Sequence, residues 1–388
     1  MLKLTRIFFS SIEEDSFLKR IVPTDIQRKT LADAKNAIRE HLRAGIREAT
    51  MKLLGMDKAV TPRFRTQGSW SYKTCVQPAW LPPQEMDWDF GVYLPVTVWE
   101  ENGPPHVMAK KYFDLVEGLL ASLCEEKGWS LVPGKHTCIR VQISSWAHID
   151  LPLYAAPEAE FTSIMEKAAL AGLLRKSADG EYFAEAGEEE LYEQEWANLD
   201  CIVLATRSGE WKPSDPEAVS KWYLDKVLEH TEQLRRVCHY LKAWRDHQWK
   251  DGGGPSSVAI MIAVAQKFEQ WRGRDDKALE QAARALASAL MGDIRELGID
   301  KGAEDFNRLS PSERTRASKA AEALAAQLQH ARLQHAYNGH VALAAVTAQF
   351  GVRIPDRLDL IEADAADDVR TVPARTVVAP VVPATKAG

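Results

Sequence analysis

The stretch EMDWDFGVYLP, residues 85–95, limits the fold of this chain more than any other part of the sequence. Charged and apolar residues alternate in it and then give way to aromatic and β-branched residues, which is typical of a strand that enters a core. Residues two apart in a strand share one face, so Asp87 and Asp89 project side by side, with Cα atoms about 6–7 Å apart. Two carboxylates at that spacing repel each other unless cations bind between them. The stretch therefore predicts a β-sheet that carries divalent cations on one face.

A third carboxylate lies in the strand-like segment HIDLPLY, where Asp150 is surrounded by apolar residues. Two-metal sites for phosphoryl transfer hold ions roughly 3.5–4 Å apart with shared carboxylates, and Mg²⁺ prefers oxygen ligands. The alternative interpretation of Asp87 and Asp89 is two exposed residues at the edge of a strand. We predict that Asp87, Asp89 and Asp150 are the catalytic and metal-binding residues, with two Mg²⁺ ions for which Mn²⁺ can substitute.

A Gly-Ser pair precedes these aspartates in the sequence GSWSY, which begins at Gly68. Glycine lets a backbone approach a ligand closely, and the amides and the hydroxyl of Ser69 can surround the oxygens of a triphosphate. A plain tight turn is the commoner use of such a pair. Its position just ahead of the aspartates favours the binding of a nucleoside triphosphate.

The chain divides into a segment rich in strands and a segment rich in helices. Residues 24–55 repeat apolar side chains at a helical period and predict one long helix with Thr24 or Asp25 as its cap. Short β-branched segments follow, and helices are predicted at about 216–249, broken near Thr231, then 256–271, 276–297 and 311–347. We predict an α+β fold in which a mixed sheet on a long spine helix forms residues 1–213. A helical lobe covers 214–361, a flexible tail covers 362–388, and the site lies in the cleft between the lobes. Residues 158–200, acidic in part, are predicted to be an insertion at the rim of the sheet.

Composition excludes several classes of protein. The net charge of −6 disfavours binding of a nucleic acid polymer, which requires a basic surface. The five cysteines are scattered and never spaced as C-x-x-C, which predicts reduced thiols rather than disulfides or a zinc ribbon. No window approaches the roughly 20 apolar residues of a membrane span. We therefore expect a cytoplasmic protein without a membrane partner.

Several blocks of the sequence resemble the cGAS/DncV-like nucleotidyltransferases, and within that family the bacterial cyclic GMP-AMP synthases. These blocks are TPRFRTQGSWSYKT, PPQEMDWDFGVYLP, TCIRVQI, HIDLPLYAAP, WKPSDPEAVSKWY, RRVCHYLKAWRDHQW and GGGPSSVAIM. They occur in the family's order and cover most of residues 60–270. Phe90 is a departure, because the family often has another acid after the second aspartate. The resemblance implies a polymerase-β-like nucleotidyltransferase lobe followed by a helical lobe.

The resemblance also implies roles for individual residues. Arg140 would contact a nucleotide at the acceptor side, and an arginine in an apolar strand needs an anionic partner in any case. Lys242 would reach the phosphates, and Asp305 would read a base. Ser256 and Ser257 would touch nucleotide, although both stand where a serine commonly caps a helix. The donor nucleotide would be lined by Gln67, Gly68, Ser69, Trp70, Ser71 and Tyr72.

The activity that the resemblance implies is the joining of ATP and GTP into cyclic GMP-AMP, with release of pyrophosphate. In this family the product is a second messenger of CBASS anti-phage defence and acts through an effector protein. Related systems also use ubiquitin-like conjugation enzymes that act on the C-terminus of the synthase, which here would be Gly388. Two alternatives stay open: nucleotide transfer to RNA ends or small molecules, and an inactive relative that only binds nucleotide.

Overall fold

The computed structural model describes residues 1–12, 15–97, 104, 106–159, 202–214 and 217–364. The predicted insertion at 158–200 lies almost entirely outside these ranges, and the predicted tail lies outside them from residue 365 onward. Buried apolar side chains form two large clusters, one in a sheet lobe and one in a helical lobe. The two-lobed α+β architecture predicted from the sequence is confirmed.

The first residues of the chain belong to the helical lobe. They form strand β1 (Leu2–Lys3) and helices α1 (Thr5–Phe8) and α2 (Phe17–Ile21). The Phe17 ring packs on Tyr240 and Phe350, both from the second half of the chain, with ring centroids 5.7 and 4.8 Å apart. The predicted boundary, which placed residues 1–213 in one lobe, is therefore wrong for these residues, because aromatic contacts distant in sequence decide where they pack.

The spine helix α3 (Asp25–Leu53) is a single helix, as predicted. It starts with a capping box, in which the Thr24 hydroxyl accepts from the backbone N–H of Gln27 and the Gln27 side chain accepts from the N–H of Thr24. A stripe at helical spacing is buried in the core of the sheet lobe: Leu31, Ala34, Ile38, Leu42, Ile46 and Thr50. The helix thus supports the sheet lobe.

The sheet places the predicted site on its long central strand. The elements of this lobe are β2 (Arg63–Gln67), α4 (Gly68–Ser71), β3 (Met86–Val96), α5 (His106–Lys127), β4 (Ser130–Val132), β5 (Ile139–Ser144), β6 (Ala147–Leu151), β7 (Leu153–Pro157), β8 (Val203–Ala205) and β9 (Trp211–Pro213). Within the described residues the strand order is β4-β5-β6-β3-β7-β8-β9, and β2 also pairs with β3. Strand β3 is antiparallel to β2 and parallel to β6 and β7. The carboxylates of β3 and β6 therefore lie next to each other.

The helical lobe has helices in the predicted places, but those predicted over 256–271 and 276–297 end earlier, at Ala265 and Leu290. Its elements are α6 (Ala218–Gln248), α7 (Ser257–Ala265), α8 (Asp275–Leu290), α9 (Leu297–Asp300), α10 (Pro311–Arg332), α11 (Gly339–Phe350), three short 3₁₀ turns (Ala336–Asn338, Gly351–Arg353 and Leu358–Leu360) and β10 (Glu362–Ala363), which pairs with β1. The helix predicted over 311–347 is two helices, α10 and α11. In the described part of the chain, no helix has the length and apolar character needed to cross a membrane.

Helix α6 is interrupted at Thr231, where the sequence predicted a break. Thr231 has φ 68° and ψ 174°, a conformation that is almost restricted to glycine. Its hydroxyl accepts only long hydrogen bonds, from Gln233 N at 3.4 Å and Gln270 Nε2 at 3.3 Å. The strain of a β-branched residue in this region is about 1–3 kcal/mol.

Replacing Thr231 by glycine should therefore stabilise the protein. We expect a gain of about 1 kcal/mol after the entropy that glycine adds to the unfolded chain is subtracted, measured as a higher melting temperature. Thr30 is the matched control, because it lies within the regular helix α3 and is exposed. Thr30→Gly should cost about 0.3–0.5 kcal/mol, the difference in helix propensity between threonine and glycine. A lower melting temperature for Thr231→Gly would show that Thr231 is unstrained.

Candidate active site

The Gly-Ser turn lies directly against the second aspartate of the central strand. Helix α4 begins where β2 ends, and Gln67, the last residue of β2, is in register with Asp89. Gly68 has φ +61°, and a Cβ atom at this position would lie 2.0 Å from Oδ2 of Asp89. Only glycine both adopts this backbone conformation and leaves room for the carboxylate. The close approach that the sequence predicted is therefore directed at Asp89.

Three of the residues predicted to line the donor nucleotide instead hold the turn in place. Trp70 stacks on Trp88 at 4.1 Å and donates its Nε1–H to the carbonyl of Asp87, at 2.8 Å. The Ser71 hydroxyl contacts that of Ser220 at 2.9 Å. The buried side chain of Gln67 donates to the hydroxyl of Tyr93 and accepts from the hydroxyl of Tyr154. These side chains fix the position of Gly68 and Ser69, which do line the cleft together with Tyr72.

The two aspartates of the central strand differ in environment. Asp87 is exposed and Asp89 is half-buried. Burial, followed by the charges of Asp87 and Asp150, raises the pKa of Asp89 to about 7, although Arg140 and Lys242 act in the opposite direction. A carboxyl group with so high a pKa is one that a bound cation would stabilise in its ionised form.

Asp150 is next to Asp89 in the sheet but is held by another residue. Strands β3 and β6 pair Asp89 with Asp150, and strands β5 and β6 pair Asp150 with Arg140. The guanidinium of Arg140 donates from Nε to Oδ1 and from Nη2 to Oδ2 of Asp150, both at 2.6 Å. The anionic partner predicted for Arg140 is therefore Asp150 itself.

A cavity of about 470 Å³ separates the turn and the aspartates from helix α6. Lys242 of that helix lines it and donates its ammonium to the carbonyl of Thr74 at 2.6 Å. Burial lowers the pKa of Lys242. Of the predicted site residues, the cavity brings together Gly68, Ser69, Tyr72, Asp87, Asp89, Lys242 and Ser257.

The sequence analysis missed other residues that line this cavity. Arg245, Asp246 and Trp249 follow Lys242 by three, four and seven residues, so they share its face of helix α6. The Nη1 atom of Arg245 donates to the hydroxyl of Ser257 at 3.1 Å. Glu85 stands two residues before Asp87, immediately ahead of β3, and also lines the cavity. The helical period would have identified the three residues of helix α6.

The remaining predicted nucleotide contacts lie elsewhere. Ser256 caps helix α7 by accepting from the N–H of Ala259 at 3.1 Å. Asp305 closes a loop, because its Oδ1 accepts from the backbone N–H groups of Ile294 and Asn307 and its Oδ2 pairs with Arg314. Neither residue lines the cavity, so the structure assigns Ser256 to capping and Asp305 to holding a loop.

The donor set of the site suits a hard divalent cation, but only two of its ligands are available. Asp87 and Asp89 present carboxylate oxygens on one face of β3, and burial, followed by the charges of Asp87 and Asp150, raises the pKa of Asp89. Both oxygens of Asp150 accept from Arg140. Accordingly, no three Asp, Glu, His or Cys side chains among the described residues are arranged to hold a metal ion.

A glycine turn against strand aspartates, with a lysine facing them across a cleft, defines the fold and site of a nucleotidyltransferase. Residues 62–154 match the family model described as "Cyclic GMP-AMP synthase DncV-like, nucleotidyltransferase domain". Residues 231–363 match "Cyclic GMP-AMP synthase, C-terminal domain". The chain belongs to the DncV-like nucleotidyltransferase family, as its sequence motifs predicted.

Curated relatives and solved structures agree with this membership. A cyclic GMP-AMP synthase of Escherichia coli is 39% identical over 214 residues, which is 54% of this chain and 48% of the relative. One from Vibrio cholerae serotype O1 is 38% identical over 212 residues, 53% of this chain and 47% of the relative. The matched part thus spans about half the length of these relatives.

One similar solved structure is the Vibrio cholerae di-nucleotide cyclase DncV in complex with GTP and 5MTHFGLU2. It has a TM-score of 0.75 and 26% sequence identity, and the match covers 93% of this chain and 99% of DncV. DncV in complex with the linear intermediate 5′ pppA(3′,5′)pG has a TM-score of 0.73 at 26% identity, covering 93% and 98%. The fold is therefore similar over nearly the whole chain.

Proposed function

We propose that this protein is a cyclic dinucleotide synthase that joins two purine nucleoside triphosphates and releases pyrophosphate. The observation that carries the proposal is the cavity between the lobes, with Gly68, Ser69, Asp87 and Asp89 on one wall and Lys242 and Ser257 on the other. The two walls supply different requirements of nucleotidyl transfer. The sheet lobe offers a cation site and a phosphate turn, and the helical lobe offers positive charge for the triphosphate.

The residues have separate roles in an in-line transfer. The 3′-hydroxyl of the acceptor loses its proton to water and attacks the α-phosphorus of the donor, and the bond from that phosphorus to the bridging oxygen of the β-phosphate breaks to release pyrophosphate. The Gly68–Ser69 turn holds the triphosphate, and Lys242 neutralises its charge. Asp87, Asp89 and Asp150 would hold the divalent ions, and Asp150 orients the attacking hydroxyl. Mg²⁺, when bound by these residues, would supply charge neutralisation and would lower the pKa of that hydroxyl.

ATP and GTP are the proposed substrates, and cyclic GMP-AMP is the proposed product. Support comes from relatives named cyclic GMP-AMP synthase and from the DncV structures named with GTP and with a linear A–G intermediate. On the family resemblance we also propose that the product is a CBASS second messenger read by an effector protein. The predicted conjugation at Gly388 concerns a residue outside the described part of the chain and stays a prediction.

The test is product formation by the purified protein from labelled ATP, GTP, CTP and UTP in Mg²⁺, singly and in pairs, followed by phosphatase treatment and chromatography. We expect a phosphatase-resistant product that requires ATP and GTP together, since cyclisation leaves no terminal phosphate. A product that forms from ATP and GTP but stays phosphatase-sensitive would mean linear transfer without cyclisation. Absence of any product from all pairs would contradict the proposal.

A further inference from the structure

The contact between Arg140 and Asp150 assigns a further role to an arginine in this reaction. We propose that Arg140 is a positioning residue that keeps Asp150 away from the metal ions until a nucleotide phosphate draws the guanidinium off. This inference rests on the proposed function, because it supposes that a phosphate enters next to the aspartates. Because the family resemblance places Arg140 at the acceptor nucleotide, completion of the metal site would depend on binding of the acceptor.

Arg140 and Asp150 form a two-point contact, which we call the clamp. Two parallel hydrogen bonds of 2.6 Å occupy both oxygens of Asp150, and its side chain is only 14% exposed. Charge-assisted forks of this kind are among the strongest hydrogen bonds in proteins. The fork takes one lone pair on each oxygen of Asp150, and the positive charge of Arg140 opposes a cation at this carboxylate, so Asp150 is a weaker metal ligand while Arg140 holds it. Among the described residues no cluster of three ligands is preformed.

The same guanidinium is suited to leave for a phosphate. It is 21% exposed, so one side of it remains accessible to an incoming anion. Arginine binds phosphate through the same two-point fork that it uses for carboxylate, and a triphosphate carries several negative charges where Asp150 carries one. The phosphate can therefore replace Asp150 as the partner of Arg140.

Release of Arg140 changes the charge balance at the sheet. Asp150 then stands next to Asp89 as an unpaired carboxylate of low exposure, and the two repel each other. A divalent cation is strongly favoured at that point. Binding of the nucleotide phosphate and binding of the cation are therefore cooperative, and the coupling must act equally in both directions. One consequence is that a donor nucleotide bound alone meets an incomplete site and is protected from hydrolysis.

The test measures Mn²⁺ binding to the nucleotide-free protein through the loss of the free-ion electron paramagnetic resonance signal. Arg140→Gln removes the clamp and should bind Mn²⁺ about tenfold more tightly than wild type, since a charge-assisted hydrogen bond is worth about 1.5–3 kcal/mol. Adding Asp150→Asn to Arg140→Gln should return the affinity to the wild-type level, because the released ligand is gone.

Two control variants separate the clamp from general effects of charge and folding. Lys242→Met removes a positive charge that also acts on Asp89 but makes no hydrogen bond to Asp150. Arg207→Gln breaks a comparable fork with Glu117, at 2.9 and 2.6 Å, which involves none of the three aspartates. Arg207→Gln should stay within about twofold of wild type. Lys242→Met should show a smaller gain in Mn²⁺ affinity than Arg140→Gln, because Lys242 makes no hydrogen bond to Asp150. Melting curves establish that each variant is folded.

Wild-type affinity in Arg140→Gln, or an equal gain in Lys242→Met, would overturn the proposal. If Arg140→Gln does not fold, Arg140→Lys takes its place. It keeps the charge but cannot span both oxygens, and it should show a smaller gain in Mn²⁺ affinity, whereas no gain would overturn the clamp. This experiment can fail while the proposed function holds, and the proposed function can fail while this experiment succeeds. Dinucleotide synthesis with unchanged Mn²⁺ binding in the variants rejects only the clamp, and the expected Mn²⁺ pattern without a dinucleotide rejects only the activity.

Discussion

Replacing Asp89 by asparagine is expected to abolish nucleotidyl transfer and, at the same time, to make the metal-free protein more stable. Activity should fall about a thousandfold or more, because an amide cannot neutralise the divalent ions on which the transfer depends. Stability should rise because Asp89 is a strained carboxylate in the free protein. Burial and the nearby Asp87 and Asp150 raise its pKa to about 7 from the model-peptide value of 3.8.

The sign of the pH dependence follows from that shift. Between pH about 4 and about 7 the folded protein keeps a proton on Asp89 that the unfolded chain has lost, so stability falls as the pH rises through this window. A difference of one in pKa between the folded and unfolded protein corresponds to about 1.4 kcal/mol in the free energy of unfolding. Asparagine carries no charge and avoids this loss. The gain in the free energy of unfolding should therefore grow from pH 5 to pH 8 and reach about 2–4 kcal/mol.

Thermal or denaturant unfolding in EDTA at pH 5 and pH 8, together with the dinucleotide assay, checks both effects in one preparation. Asp114→Asn is the matched control, since Asp114 is 56% exposed and pairs with Lys110 on the surface of helix α5. It should change neither activity nor the pH dependence. An Asp89→Asn protein that loses stability at pH 8 would mean that Asp89 is satisfied without a cation.

Gly68→Ala should have the second largest effect, through the position of Asp89 rather than its charge. The methyl group would lie 2.0 Å from the carboxylate oxygen, and the φ of +61° adds backbone strain. The Asp89 side chain or the turn has to move. Displacement of a catalytic group by about 1 Å can cost about a hundredfold in rate, and we expect a loss of that size in kcat/KM.

Gly55→Ala separates the effect of the contact with Asp89 from the effect of backbone strain. Gly55 has a similar φ of +71°, but an added Cβ would meet nothing within 4 Å. It should therefore lose about 1–2 kcal/mol of stability from strain alone and keep its kcat/KM. Steady-state kinetics and melting curves on both variants supply the comparison. Equal kcat/KM values in the two alanine variants would show that the contact between Gly68 and Asp89 is unimportant for catalysis.

Local patterns in the sequence predicted the parts of this molecule that local physics determines. Alternation in β3 placed Asp87 and Asp89 on one face, and the turn residues placed Gly68 and Ser69 beside them. The packing of Phe17 among residues of the helical lobe depends on contacts more than two hundred residues away in sequence, and no local pattern encodes it.

The sequence also did not predict the register of the sheet. Arg140 and Asp150 are ten residues apart, and only the pairing of β5 with β6 shows that they are partners. Gln67 and Trp70 stand in the predicted nucleotide motif, but strand register and ring stacking turn their side chains towards the scaffold. The motif thus predicted which part of the chain forms the site. Strand register and ring stacking decide which of its side chains face the cavity.

The packing of α2 in the helical lobe means that the chain connects the two lobes twice, once between Ile21 and Asp25 and again between Pro213 and Ala218. Side chains also join the lobes, since Lys242 donates to the carbonyl of Thr74 and the Ser71 hydroxyl contacts that of Ser220. The two walls of the cavity are therefore held by chain connections and by hydrogen bonds. The spacing between the Gly68–Ser69 turn and Lys242 is thus set before a nucleotide enters.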